Sequence, residues 1–141
     1  MTYDIHFQGT QGTDAKPISF GYAAAVAVDG PQKVVNRWTK CLLTPKGSDP
    51  TSPNEGTDFT RLIGLDVETS QDLLDALAII LEDCADQIRT FDRMSSLPPD
   101  EQFGSATLAQ IVERDAGGYD VWIRVRNAAG ESLSLALPTI G

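Results

Sequence analysis

The chain has 141 residues, 41% of them hydrophobic and 22% charged, with a net charge of −9. A length of this order fits one domain, residues 1–141, that buries enough surface to fold without a metal or a disulfide framework. The acidic balance argues against partners such as nucleic acid or an anionic membrane surface, both of which select basic stripes, and it suits docking onto basic protein surfaces.

No apolar run approaches the ~20 residues of a membrane span. The opening MTYDIHFQGT has neither the basic segment nor the apolar stretch of a secretory signal. With Cys41 and Cys84 as its two cysteines, the chain lacks a disulfide framework, and synthesis in a reducing cytoplasm is expected.

Tyr3 to Phe7 alternates apolar and polar residues and reads as a short N-terminal strand. Gly9 to Pro17 is turn-rich. Ile18 to Val28 is apolar and rich in alanine; it reads as a second strand or extended wall, with helix an alternative for Ala23 to Ala25. Asp29-Gly30-Pro31 then supplies a capping side chain and a proline where a missing N–H is harmless, so a helix is expected to start here. Val34, Trp38 and Leu42 recur every four residues with Val35 alongside, and Pro45 and Gly47 stop the helix. Thr44 to Thr57 is a proline-bearing loop, and Thr57-Asp58-Phe59 opens a short helical turn carrying Phe59, Leu62 and Ile63, ended by Gly64.

Ser70 is the expected cap of the longest helix, Gln71 to about Arg89. Its apolar stripe runs through Leu73, Leu74, Leu77, Ile80, Leu81, Cys84 and Ile88 to Phe91. Asp72 and Asp75 lie in its first turn and Arg89 in its last, as the helix dipole favours. After a connector, Met94 to Gly104, three antiparallel strands are expected: Thr107 to Asp115, Tyr119 to Asn127, and Ser132 to Leu137. Gly117-Gly118 and Ala129-Gly130 are the turns between them. The fold class read from this order is α+β, with helices packed on a C-terminal three-stranded antiparallel sheet and a short N-terminal strand.

Residues that carry chemistry are sparse. His6 is the sole histidine, and no Gly-x-Ser-x-Gly elbow accompanies it. Cys41 and Cys84 lack Cys-x-x-Cys spacing and read as thiols packed beside apolar stripes. Glu82, Asp83 and Asp86 fall between the leucines of the long helix, as a solvated face does; a paired-carboxylate hydrolase acting on cell walls is the rival from a different class. Asp49, Glu55 and Asp58 lack calcium-loop spacing, and there is no phosphate-cradling glycine loop. No cofactor and no metal is expected, and a binding or structural role is the simplest reading. Trp122, beside Arg124 and Arg126, has the composition of an interface anchor.

Two segments carry a family resemblance. Trp38-Thr39-Lys40-Cys41-Leu42-Leu43-Thr44-Pro45-Lys46-Gly47, followed by Gly56-Thr57-Asp58-Phe59-Thr60-Arg61-Leu62-Ile63-Gly64, resembles the small baseplate wedge protein that initiates the sheath of contractile phage tails. The order of elements around them, from Asp4–Phe7 to the C-terminal strands, is similar to that family over most of the chain. In place of the family's Glu-Pro-Arg at the end of the long helix, this chain has Ala85-Asp86-Gln87-Ile88-Arg89. The resemblance implies a non-enzymatic virion subunit made in the host cytoplasm, present in six copies around the tail axis. Its implied partners are the sheath protein, the baseplate wedge proteins and, as a further contact, the tail tube; type VI secretion and phage-like bacteriocins are the alternative settings. Asp86, Gln87, Arg89, Asp58 and Arg61 are the implied wedge contacts. The sheath would be met by strand addition along Tyr119–Asn127 and Glu131–Leu137, with Trp122, Arg124, Arg126, Leu133, Leu135 and Leu137 at the contact.

Overall fold

The computed structural model describes residues 30–63, 67–137 and 140, together with the backbone of five two-residue strands nearer the N-terminus. Those strands are β1 (Thr2–Tyr3), β2 (His6–Phe7), β3 (Lys16–Pro17), β4 (Phe20–Gly21) and β5 (Ala27–Val28). Helices α1 (Gly30–Leu43), α2 (Phe59–Ile63) and α3 (Ser70–Met94) follow, then a 3₁₀ turn at Pro99–Glu101. Strands β6 (Phe103–Glu113), β7 (Tyr119–Asn127) and β8 (Ser132–Ala136) complete the chain.

The fold is α+β, and β6, β7 and β8 form the expected antiparallel meander. Its turns need the positive φ that glycine adopts without penalty, as at Gly117 and Gly118. The alternation along β7 decides which face is buried. Tyr119, Val121, Ile123, Val125 and Asn127 point into the molecule, while Arg124 and Arg126 are exposed on the other face. The buried face meets Val34, Val35, Trp38 and Leu42 of α1 and Leu73, Leu77, Ile80, Cys84 and Ile88 of α3 in one apolar core. Trp38, Leu42, Phe59 and Leu73 are completely inaccessible, and each such side chain contributes on the order of 2 kcal/mol.

Several expectations are corrected. The cap of α3 is Thr69, whose hydroxyl accepts the Asp72 N–H at 3.2 Å and donates to the Asp72 carboxylate at 2.7 Å, so Ser70 is already helical. The helix runs to Met94, beyond Arg89, because no glycine or proline interrupts Thr90 to Met94. Phe91 lies off the buried stripe and is 51% exposed. The first sheet strand starts at Phe103, four residues earlier than the apolar pattern suggests.

The N-terminal segments also differ from expectation. The pair β1–β5 and the pair β2–β4 stand apart from the C-terminal sheet. It is Lys16–Pro17, from the stretch expected to be turn, that joins the sheet, parallel to Leu135–Ala136. Ala23 to Ala25, Asp29 and Gly64 lie outside the described residues.

Candidate functional site

Two regions gather the residues of interest: a loop clasp at the C-terminal end of α1, and the borders of the sheet.

The clasp is built from the two resembling segments. Pro45 ends α1 because it cannot donate the next helical hydrogen bond. The chain then returns so that Thr57 N–H donates to Thr44 O at 2.9 Å, Thr57 Oγ1 donates to Leu42 O at 2.7 Å, and Lys46 N–H donates to Thr57 O at 3.2 Å. Gly56 sits at φ +96°, and a Cβ there would lie 2.3 Å from Thr44 O. Gln87 of α3 grips both sides of this glycine: its Nε2 donates to Gly56 O at 2.8 Å, and its Oε1 accepts the Gly56 N–H at 2.9 Å. Both peptide groups of the buried Gly56 are thereby satisfied by one side chain. Gln87→Met keeps the volume but leaves both Gly56 groups unpaired; chemical denaturation is expected to show a loss of about 2 kcal/mol.

Between α1, this loop and α3 lies a groove of about 600 Å³ lined by Arg37, Lys40, Cys41, Glu55, Asp86, Gln87, Phe91 and Met94, among others. Of the wedge candidates, Asp86 and Gln87 line it. Arg89 turns instead to β6, where it reaches Gly104 O at 3.3 Å and its guanidinium stacks 5.5 Å from the Phe103 ring. Asp58 and Arg61 pair with each other at 3.7 Å, both exposed, and are not among the groove-lining residues. The structure thus divides these five residues among three places. Of the carboxylates weighed as a hydrolytic pair, Asp86 faces Arg89 at 3.9 Å and Glu82 is exposed on α3. Among the described residues, no group of His, Cys, Asp and Glu side chains has the arrangement of a metal site.

Near the C-terminus of α3, Asp92 ties three elements together. One of its carboxylate oxygens pairs with Arg37 of α1, and the other accepts the Phe103 N–H at 2.7 Å. Arg37 also donates to Glu101 O, and Lys33 pairs with the Glu101 carboxylate at 2.9 Å. Nothing in the sequence periodicity points to this network, because its bonds from α1 reach residues more than fifty positions away.

The sheet order is β3-β8-β7-β6, so β7 is central and both of its backbone edges are in use. Its expected role as a docking edge is therefore corrected; only its side chains on the outer face remain available. Trp122 there is half-buried, whereas Arg124 and Arg126 are exposed and make no ion pair among the described residues. Leu133, Leu135 and Leu137 point inward and are core residues, at most 6% exposed. Any partner at β8 meets backbone, not these side chains.

The ladder's alternation assigns which backbone groups point away from β7. Asn127 N–H bonds Glu131 O and Leu137 N–H bonds Val121 O, so Leu133 and Leu135 face β7, while Ser132, Ser134 and Ala136 turn their peptide groups to the far side. On that side Lys16–Pro17 occupies the positions beside Leu135–Ala136. In β6, Arg114 N–H bonds Gly118 O, which places Gln110 and Val112 toward β7 and turns Ile111 and Glu113 outward. Upstream of the irregularity at Leu108–Gln110, the same alternation turns Ala106 and Leu108 outward. No described strand pairs with this outer border of β6.

No known protein family, curated protein or solved structure matches this chain.

Proposed function

We propose that this chain is a structural baseplate subunit of a contractile tail, docking on the wedge and nucleating the sheath by taking a neighbour's extended arm onto its sheet. The observation that carries this reading is the state of the two sheet borders. Among the described residues, Lys16–Pro17 of the chain itself covers the β8 border only beside Leu135–Ala136, and β6 leaves its outer backbone groups without a described partner. Backbone hydrogen bonds along such a border supply affinity largely independent of side-chain identity. The exposed Arg124 and Arg126 add positive charge to the outer face of a strongly acidic chain. The family resemblance names the sheath subunit as the source of the arm, and the groove beside Asp86 and Gln87 is the candidate seat on the wedge. The same architecture serves a type VI secretion or bacteriocin baseplate, and genomic neighbourhood separates these settings.

Proline is the fitting probe, since it removes one N–H and leaves the rest of the ladder. Removal of residues 131–141 is unsuitable, because Leu133, Leu135, Leu137 and Ile140 belong to the core. Ala106→Pro with Glu113→Pro deletes two outward donors of β6, and Ser132→Pro deletes one of β8. At least one of these changes is expected to reduce sheath assembly on tube–baseplate complexes tenfold or more while the protein's circular dichroism stays unchanged. Undiminished assembly by both, or a map of the assembled tail with no foreign strand on β6 or β8, overturns the reading.

A further inference from the structure

The two cysteines face each other across the α1–α3 contact. Cys84 Sγ lies 3.6 Å from the carbonyl oxygen of Trp38, one turn before Cys41 on α1. Cys41 Sγ lies 3.5 Å from Oε1 of Gln87, one turn after Cys84 on α3. Each thiol therefore reaches the helical turn that carries the other. Cys84 is completely buried, whereas Cys41 is half-buried and lines the groove.

We propose that Cys41 and Cys84 form an oxidisable pair, Cys41 reacting with hydrogen peroxide that enters the groove and Cys84 then closing a disulfide that staples α1 to α3. Attack of the Cys41 thiolate on the peroxide cleaves the O–O bond, leaving Cys41 as a sulfenic acid and, with one proton, releasing water. The Cys84 sulfur then attacks the Cys41 sulfur; the S–S bond forms, the S–O bond breaks, and hydroxide leaves with the Cys84 proton as a second water. The two thiols lose two electrons and the peroxide gains them. The environment divides the roles in the same sense. Hydrogen bonding with Cys84 holds the Cys41 thiol below its ordinary pKa, and that bond together with burial pushes Cys84 up.

The test uses the full chain and hydrogen peroxide. Digestion without reductant is expected to yield one peptide pair joined through Cys41 and Cys84, from a protein still monomeric on a non-reducing gel. Its unfolding midpoint is expected to rise by roughly 10 °C and to return with dithiothreitol. In Cys84→Ser, oxidation is expected to stop at Cys41 as a sulfenic acid trapped by dimedone. In Cys41→Ser, the buried Cys84 is expected to stay reduced. A wild-type chain that gives no linked peptide and carries dimedone on Cys41 as heavily as Cys84→Ser does, or one that links only between chains, overturns the proposal.

Discussion

Replacing Gly56 by alanine is expected to cost about 4 kcal/mol, far more than one methyl group ordinarily does. Two penalties add. The backbone at φ +96° lies in a region that L side chains avoid, worth on the order of 1–2 kcal/mol. The new Cβ would also lie 2.3 Å from Thr44 O and 3.0 Å from the Pro45 carbonyl carbon. Both are backbone atoms held by the Thr57 bonds, so neither can swing aside as a side-chain tip does, and the clasp must open. Gly117 is the internal control: it has a similar φ of +93°, but nothing lies within 4 Å of its added Cβ. Gly117→Ala is expected to lose only the conformational part, about 1 kcal/mol. Urea denaturation of the two variants side by side checks the claim, and equal losses would show that the close approach at Thr44 contributes nothing. If the clasp supports the wedge seat, Gly56→Ala also weakens docking while Gly117→Ala does not.

Asp92→Ala is expected to be comparably damaging, at about 3–4 kcal/mol. The carboxylate is 11% exposed and its partner Arg37 15%, so solvent screens the pair only weakly. Removal strands the Arg37 guanidinium among α1, α3 and the Pro99–Glu101 turn, and it also leaves the Phe103 N–H without its acceptor at the start of β6. Asp92→Asn keeps the shape and an acceptor for Phe103, so it isolates the charge and is expected to lose roughly half as much. Hydrogen exchange provides the local readout: the Phe103 amide should lose protection in Asp92→Ala and retain most of it in Asp92→Asn. Equal loss in both would assign the effect to charge alone. The consequence for assembly follows from position, since a frayed start of β6 shortens the border on which an added strand would lie.

The long apolar stripe from Leu73 to Ile88 and the alternation in Tyr119–Asn127 each state in the sequence which side is buried. The helices, the meander and its turns accordingly follow in the order those patterns give, with α3 and β6 differing from them only in their bounds. Periodicity encodes faces because it depends only on 3.6 residues per turn or two per pleat. It carries no information on neighbours. The two tight turns already place β7 between β6 and β8, whereas the seating of Lys16–Pro17 against β8, with β6 left as the border, is a property of pairing between distant segments. The same holds within the candidate site. The sequence marks Gly56 as glycine and Gln87 as polar, but only the crossing of the loop over α3 brings them to 2.8 Å. Cys41 and Cys84 are likewise unremarkable on their own helices and become a pair because those helices pack side by side.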